Sequence, residues 1–416
     1  MEQAILYNHI PVAQSTFKAG LAAKIHRWFR LTPSFGPDLV CEMLDKLNCI
    51  NGDVVLDPFS GASTTLIESA LQGFDSYGFE INPFLHWIGT VSLRWGINEN
   101  DLKNTLNDIV SKFEEDSLRI KFDNLADNNL EIPKIHNPLR WWRKDVLTSL
   151  LILKNAIKTQ SSNKDIQDFF LLALAGVLIP DLTNVTLGRL QLHFIVRDND
   201  LIDTVNTFKK HALTMIKDLS EVQQLKNIGD AKLFNINSLN PSIDNIKPIN
   251  CVITSPPYPN RYSYVWNTRP YLYFFDFFDS PKQASELDKS TIGGTWGTAT
   301  SILSKGIVAP EFQFLEEIVV PVTEQIRVED NLMANYVMKY FNLLASQIQA
   351  MEKLPQSNLR CAYVVGNSRV KGVYVETDII LAKIFTELGY RIESVERIRK
   401  RHSGKDLHES IVYAFK

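Results

Sequence analysis

The stretch that most restricts the fold begins at Asp53 and reads Asp-Val-Val-Leu-Asp-Pro-Phe-Ser-Gly-Ala-Ser-Thr-Thr-Leu-Ile-Glu-Ser-Ala. Its short apolar, β-branched opening predicts a buried strand, the small residues around Gly61 a tight turn, and a helix starts at Thr64 and Thr65. After Gly73 a second strand, Ser76 to Phe79, ends at Glu80. Strand, helix and strand in that order make a βαβ unit, whose crossover brings the two strands side by side and parallel. The chain is thereby committed to an open, doubly wound α/β sheet. Glu80 follows Asp57 at about the 20-residue spacing at which a ribose-binding carboxylate follows the first strand of a nucleoside-binding unit.

Composition removes competing classes. The 416 residues are 45% hydrophobic and 22% charged, an ordinary globular balance that can bury a sizeable core. The longest apolar run, Phe169 to Ile179, is shorter than the roughly 20 residues a membrane span requires, so it predicts a buried helix. No basic segment precedes an apolar stretch at the N-terminus, so a cytoplasmic protein without membrane attachment is expected. Cys41, Cys49, Cys251 and Cys361 are scattered, and the histidines show no H-E-x-x-H spacing, so no metal site is expected. The net charge of −3 does not favour nucleic acid, although Arg397 to His402 is a local basic cluster. Alone, that cluster reads equally as a phosphate contact or as a solvated strand edge.

The α/β rhythm lapses from about 95 to 224, where Asp101–Lys121, Asp145–Thr159 and Ile166–Ile179 carry helical periodicity. It returns at Ala231–Ile236 and Asn250–Ile253. The reading is therefore a first core segment (1–94), a helical insertion (95–224) and a second core segment (225–416). Within the last, 259–330 is expected to be a loop-rich insertion around Gly293-Gly294-Thr295-Trp296-Gly297. A long helix from Asn331, a strand at Cys361–Val365, a helix at Glu376–Leu388 and a final hairpin complete the sheet.

Two segments carry chemistry. In Asp57-Pro58-Phe59-Ser60-Gly61-Ala62-Ser63-Thr64-Thr65, small residues between strand and helix let backbone N–H groups approach a bound anion, with the helix N-terminus behind them. In Thr254-Ser255-Pro256-Pro257-Tyr258, directly after a strand, the prolines fix φ and remove donors, so rigid carbonyls face outward beside a flat aromatic ring. Acceptors over an aromatic floor suit a planar amine on a nucleobase.

Together these segments resemble the DNA amino-methyltransferases, whose motifs are written D-P-F-x-G-S-G-T-T and (D/N/S)-P-P-(Y/F/W). The resemblance covers about 25–90 and 226–416, and departs where Ala62 and Ser63 stand at positions in which small residues, commonly Gly, are usual. It implies a Rossmann-like fold that takes S-adenosyl-L-methionine. Asp57, Pro58 and Gly61 would shape the pocket floor, Phe35 and Phe59 pack on the cofactor, and Thr64 and Thr65 bind its methionine carboxylate. Glu80 would take the ribose hydroxyls and Asp230 the adenine amino group. It further implies that Ser255, Pro256, Pro257 and Tyr258 form the catalytic site for a base flipped out of double-stranded DNA. Serine before Pro-Pro-Tyr is commoner in the N4-cytosine branch, which favours that base. N6-adenine remains the alternative, and RNA or protein amide substrates a more distant one. The family setting is a modification enzyme beside a restriction endonuclease that acts on the same site, and a monomer is expected because one flipped base needs one active site.

Asn260, Arg261 and Trp296 are the candidate nucleic-acid contacts, because they follow the catalytic turn or sit in the glycine-rich loop. Asn367 ends a strand on the same sheet edge. His26–Arg30 and Arg140–Lys144 mix basic and aromatic residues, which suits either nucleic acid or core packing.

Overall fold

The structure, a computed structural model, describes residues 5–11, 16–188, 191–260, 262–293, 303–402 and 405–416. One eight-stranded sheet organises it: β1 (Ile5–Tyr7), β2 (Val54–Asp57), β3 (Asp75–Phe79), β4 (Ala231–Phe234), β5 (Ile249–Thr254), β6 (Gln356–Gly366), β7 (Arg391–His402) and β8 (Lys405–Phe415). The spatial order is β1-β7-β8-β6-β5-β2-β3-β4. All neighbours are parallel except β8, which runs antiparallel to both β6 and β7. This is the Rossmann-like doubly wound sheet that the opening βαβ unit predicts. From β2 the order proceeds outward in both directions, so the switch point, where such sheets bind ligands, lies at the carboxyl ends of β2 and β5.

Residues alternate strictly between the two faces. Val54, Leu56, Val252, Tyr363, Val365 and Val412 join one core cluster, while Val55, Cys251, Ile253, Ala362, Val364 and Ile411 join another. Both faces are covered, which is why these strands read as nearly continuous apolar runs. Helix α1 (Pro37–Lys46) covers the second face, and α2 (Thr64–Leu71) links β2 to β3. Helix α3 (Pro83–Ser92) follows β3 and is capped by Asn82, whose side chain accepts from the backbone N–H groups of Phe84 and Leu85.

Helices α4 (Glu99–Arg119), α5 (Lys144–Thr159), α6 (Lys164–Leu178) and α7 (Thr204–Val222) fill most of the stretch expected to be helical, with a small hairpin of Val185–Leu187 and Leu192–Phe194. Their core is continuous with Trp28, Phe84 and Leu272, so they are fused to the sheet layer through α3. The basic-aromatic segments serve this packing. Trp28 is fully buried with its indole N–H on Asp218 (3.1 Å), Arg27 pairs with the same carboxylate, and Trp141 and Trp142 are buried. Among the described residues no helix is long and apolar enough to cross a membrane, and Phe169–Leu178 lies buried within α6.

The stretch expected to be loop-rich is largely helical. Helices α8 (Tyr264–Phe274) and α9 (Pro281–Ser290) are followed by short helices at Phe314–Ile318 and Val320–Arg327. Ser263 caps α8 by accepting from the Trp266 N–H, and Ser280 with Gln283 forms a capping box with Pro281 in the first turn of α9. The loop-rich expectation rested on the glycines at 293, 294 and 297, beyond the end of α9, while burial of Leu272 and Phe274 in the helical core stabilises α8. Helices α10 (Asn331–Ala350) and α11 (Thr377–Glu387) cover the first sheet face.

Candidate active site

The site grows from the ends of β2 and β3. Asp57 closes β2, and its Oδ1 accepts from the Phe59 N–H (2.9 Å) and the Thr254 hydroxyl (2.6 Å), tying the ends of β2 and β5 together. Burial raises its carboxyl to about 6. Glu80, one residue past β3, accepts from the Gly61 N–H (2.8 Å) and the Asn82 N–H (2.7 Å). Burial pushes its carboxyl to about 7, against the pull of those donors. Each carboxylate oxygen keeps a further lone pair for a ligand.

The turn between β2 and α2 needs left-handed backbone at Gly61 (φ +52°) and at Ser63 (φ +66°). Serine therefore holds the conformation that glycine favours, at a cost of about 1 kcal/mol. Gly89 makes room for it, since a Cβ there would come within 2.1 Å of the Ser63 Oγ.

Two compartments meet at the end of β5. The first, about 740 Å³ of space open to solvent, has apolar walls from Phe59, Ile81 and Ile236, with Glu80, Asn237 and Ser255 as polar points. Pro58, Gly61 and Pro257 also line it. The second is lined by Phe35, Tyr258, Asn260, Tyr262, Arg399, Arg401 and Glu409. Ser255 and Tyr264 belong to both. The Ser255 hydroxyl donates to the Tyr258 hydroxyl (3.4 Å), which donates to Glu409 (2.9 Å). The Arg401 guanidinium lies 5.0 Å from the Tyr258 ring centre. Burial, with the Glu409 carboxylate beside it, pushes the Tyr258 phenol well above its ordinary range, so it stays protonated.

The sequence-predicted residues divide accordingly. Pro58, Phe59, Gly61, Glu80, Ser255 and Pro257 share the first compartment, and Phe35, Tyr258 and Asn260 the second rather than the first. Asp57 and the buried Pro256 lie in the framework beneath. Thr65 is fully buried and donates to the Ile253 carbonyl (3.4 Å), so it does not face a ligand. Thr64 lines a side cleft with Ser34 and Phe35.

Asp230 requires correction. It precedes β4, at the amino ends of the parallel strands, where its N–H donates to Asp75 (2.8 Å) and its carboxylate is exposed. The pocket lies at the opposite ends, where Asn237 stands instead. Asp230 precedes β4 rather than following it, and an acceptor that follows the strand has to be sought beyond Phe234. Asn367 is also structural: its buried amide binds the Tyr374 hydroxyl and the Asp378 N–H. Arg261 and Trp296 lie outside the described residues.

Sequence reading missed Asn237, Tyr264 and Glu409, while Arg399 and Arg401 belong to the basic cluster it singled out. The final hairpin itself was expected, but nothing in the sequence connected it with the turn after β5. At the far end of the sheet, Cys49, Asp53 and Cys251 form the one potential metal-ligand group among the described residues. Asp53 there already holds Arg360 and the Ile50 N–H.

The N6/N4 methyltransferase family, described as DNA methylase, matches residues 23–89, from before α1 into α3. The type II methyltransferase M.BsoBI of Geobacillus stearothermophilus is 23% identical over 95% of this chain and 86% of its own length. M.MvaI of Kocuria varians is 22% identical over 86% of this chain and 80% of its own. M.AvaI of Anabaena variabilis is 22% identical over 91% and 82%. Such matches span both the turn after β2 and the turn after β5.

Proposed function

The chain belongs to the DNA amino-methyltransferases, and from that premise we propose that it methylates the exocyclic N4 amine of a cytosine turned out of duplex DNA. The observation that carries the reading is Ser255, placed on the seam between two compartments and followed by Pro256, Pro257 and Tyr258. The first compartment suits S-adenosylmethionine: a buried carboxylate, Glu80, for the ribose hydroxyls, apolar walls at Phe59, Ile81 and Ile236 for a planar base, and the Asn237 amide at its edge. When bound, that cofactor supplies an electrophilic methyl group.

The chain's residues then act on the amine. Its lone pair is delocalised into the ring, so it is a poor nucleophile. Hydrogen bonds from its N–H groups to the Ser255 hydroxyl and the Pro256 carbonyl favour a pyramidal nitrogen and aim the lone pair at the first compartment. Pro256 and Pro257 have no N–H to compete for those acceptors, and Asp57 with Thr254 fixes the strand end. Tyr258 offers a stacking face. The nitrogen would take the methyl as its bond to the sulfonium breaks, leaving a neutral thioether, and would shed one proton to water, so catalysis is positioning and electrostatics, with base extrusion costing a few kcal/mol.

In this reading the protein is the monomeric, cytoplasmic modification partner of a restriction endonuclease that cuts the same site, in line with the type II names of its relatives. A host genome without the modified base refutes that setting. The chemistry is tested by treating unmodified DNA with protein and cofactor, then resolving nucleosides by mass spectrometry. N4-methylcytosine is expected. N6-methyladenine corrects the base and keeps the site, and C5-methylcytosine overturns the mechanism. Cofactor binding without modified DNA moves the substrate to RNA or a protein amide.

A further inference from the structure

We infer that Glu409, on the final hairpin, sets through Tyr258 the direction of the Ser255 hydroxyl, and is a positioning residue for the target amine. The inference rests on the proposed role of Ser255 as an acceptor. Two hydroxyls side by side can donate in either direction, so Ser255 and Tyr258 alone leave the direction open. A carboxylate only accepts. Glu409 therefore obliges Tyr258 to donate to it, at 2.9 Å, and leaves the Tyr258 oxygen as acceptor for the Ser255 hydroxyl at 3.4 Å. With its proton committed to Tyr258, Ser255 turns lone pairs toward the compartment, and an incoming N–H meets an acceptor.

Other groups fix the geometry. Glu409 is 5% exposed, and its second oxygen accepts from the Arg399 Nε. Arg401 and the backbone of Gly366 both pack against the Tyr258 ring: a Cβ on Gly366 would come within 2.9 Å of ring carbons and 2.6 Å of the Arg401 guanidinium.

Glu409→Gln is the informative change. Arg399 needs an acceptor, so the amide oxygen turns to it and the NH2 faces Tyr258. The chain of donations then reverses, and the Ser255 proton points at the amine. The expected result is a fall of about 100-fold in the single-turnover methyl-transfer rate, as for loss of one preorganised polar group. Cofactor Kd stays as in the wild type, while Tm falls because Arg399 loses its charged partner. In a Tyr258→Phe background the chain is already cut, so Glu409→Gln adds no further loss, whereas a merely structural Glu409 would add its full effect. Glu409→Asp, which keeps an acceptor, retains most of the rate, and it serves as the test should the glutamine variant not fold. Wild-type rates in Glu409→Gln, or multiplying losses in the double variant, overturn the inference. Absence of amine methylation by the wild-type protein instead overturns the functional reading beneath it.

Discussion

The two compartments that meet at Ser255 are built in opposite ways. The first comes mainly from three strand ends and the turns that follow them: Pro58 to Gly61, Glu80 to Asn82, and Ile236 to Ser238. Backbone hydrogen bonds hold it, and its key carboxylate is fixed by its own neighbours. The second draws Phe35, Tyr258 and Glu409 from three distant stretches and depends on side chains that hold other side chains. A pocket of the first kind tolerates change in the rest of the chain, whereas one of the second kind is vulnerable wherever its supports lie.

The contrast is broken most sharply at the seam. Ser255→Ala removes one acceptor aimed at the amine, and the methyl-transfer rate should fall by roughly 100- to 1000-fold while cofactor Kd, read by calorimetry, holds. Gly366→Ala lies outside both motifs, but its Cβ would displace Tyr258 and Arg401. A misplacement of that kind should cost about 10- to 100-fold in rate, again without weakening the cofactor.

On the other side, Glu80→Gln should weaken the cofactor by about tenfold at pH 8, the cost of one charge-assisted hydrogen bond. Its pH dependence sharpens the comparison. Ribose hydroxyls favour ionised Glu80, whose carboxyl sits at about 7 in the free protein, so binding releases a proton below that value. Wild-type affinity should therefore rise with pH up to about 7 and then level off, and the glutamine variant should lose this component. The same burial means that folded protein holds a proton which unfolded chain has lost between 4.5 and about 7, so this group's contribution to stability falls as pH rises through that window. The smallest effect belongs to the turn itself: Ser63→Gly relieves left-handed strain and should raise unfolding stability by up to about 1 kcal/mol in denaturant titration.

Legibility follows the same division. The strand from Val54, the turn, α2 and Glu80 are contiguous and obey local rules, so sequence alone placed them. The helices α4 to α6 were legible from periodicity because each buries one face in a shared core. Two segments were not. The residues of α8 and α9 were read as loop because the glycine-rich segment from Gly293 coloured the whole stretch, and their capping residues, Ser263 and Ser280, were not weighed. Asp230 was assigned through the family resemblance, but strand direction puts it on the wrong edge of the sheet, and only the boundaries of β4 show that. Glu409 had no local signal at all, because its meaning comes from the antiparallel pairing of β8 with β6, which carries it to the end of β5.

The most direct test of the two-compartment account is a crystal structure with a cofactor analogue and a DNA duplex containing the methylated site. The account predicts the ribose on Glu80, and an extruded base whose amine lies about 3 Å from both the Ser255 hydroxyl and the Pro256 carbonyl, with Tyr258 against its ring. A base seated away from Ser255, or a cofactor bound outside the Phe59–Ile236 walls, would contradict it.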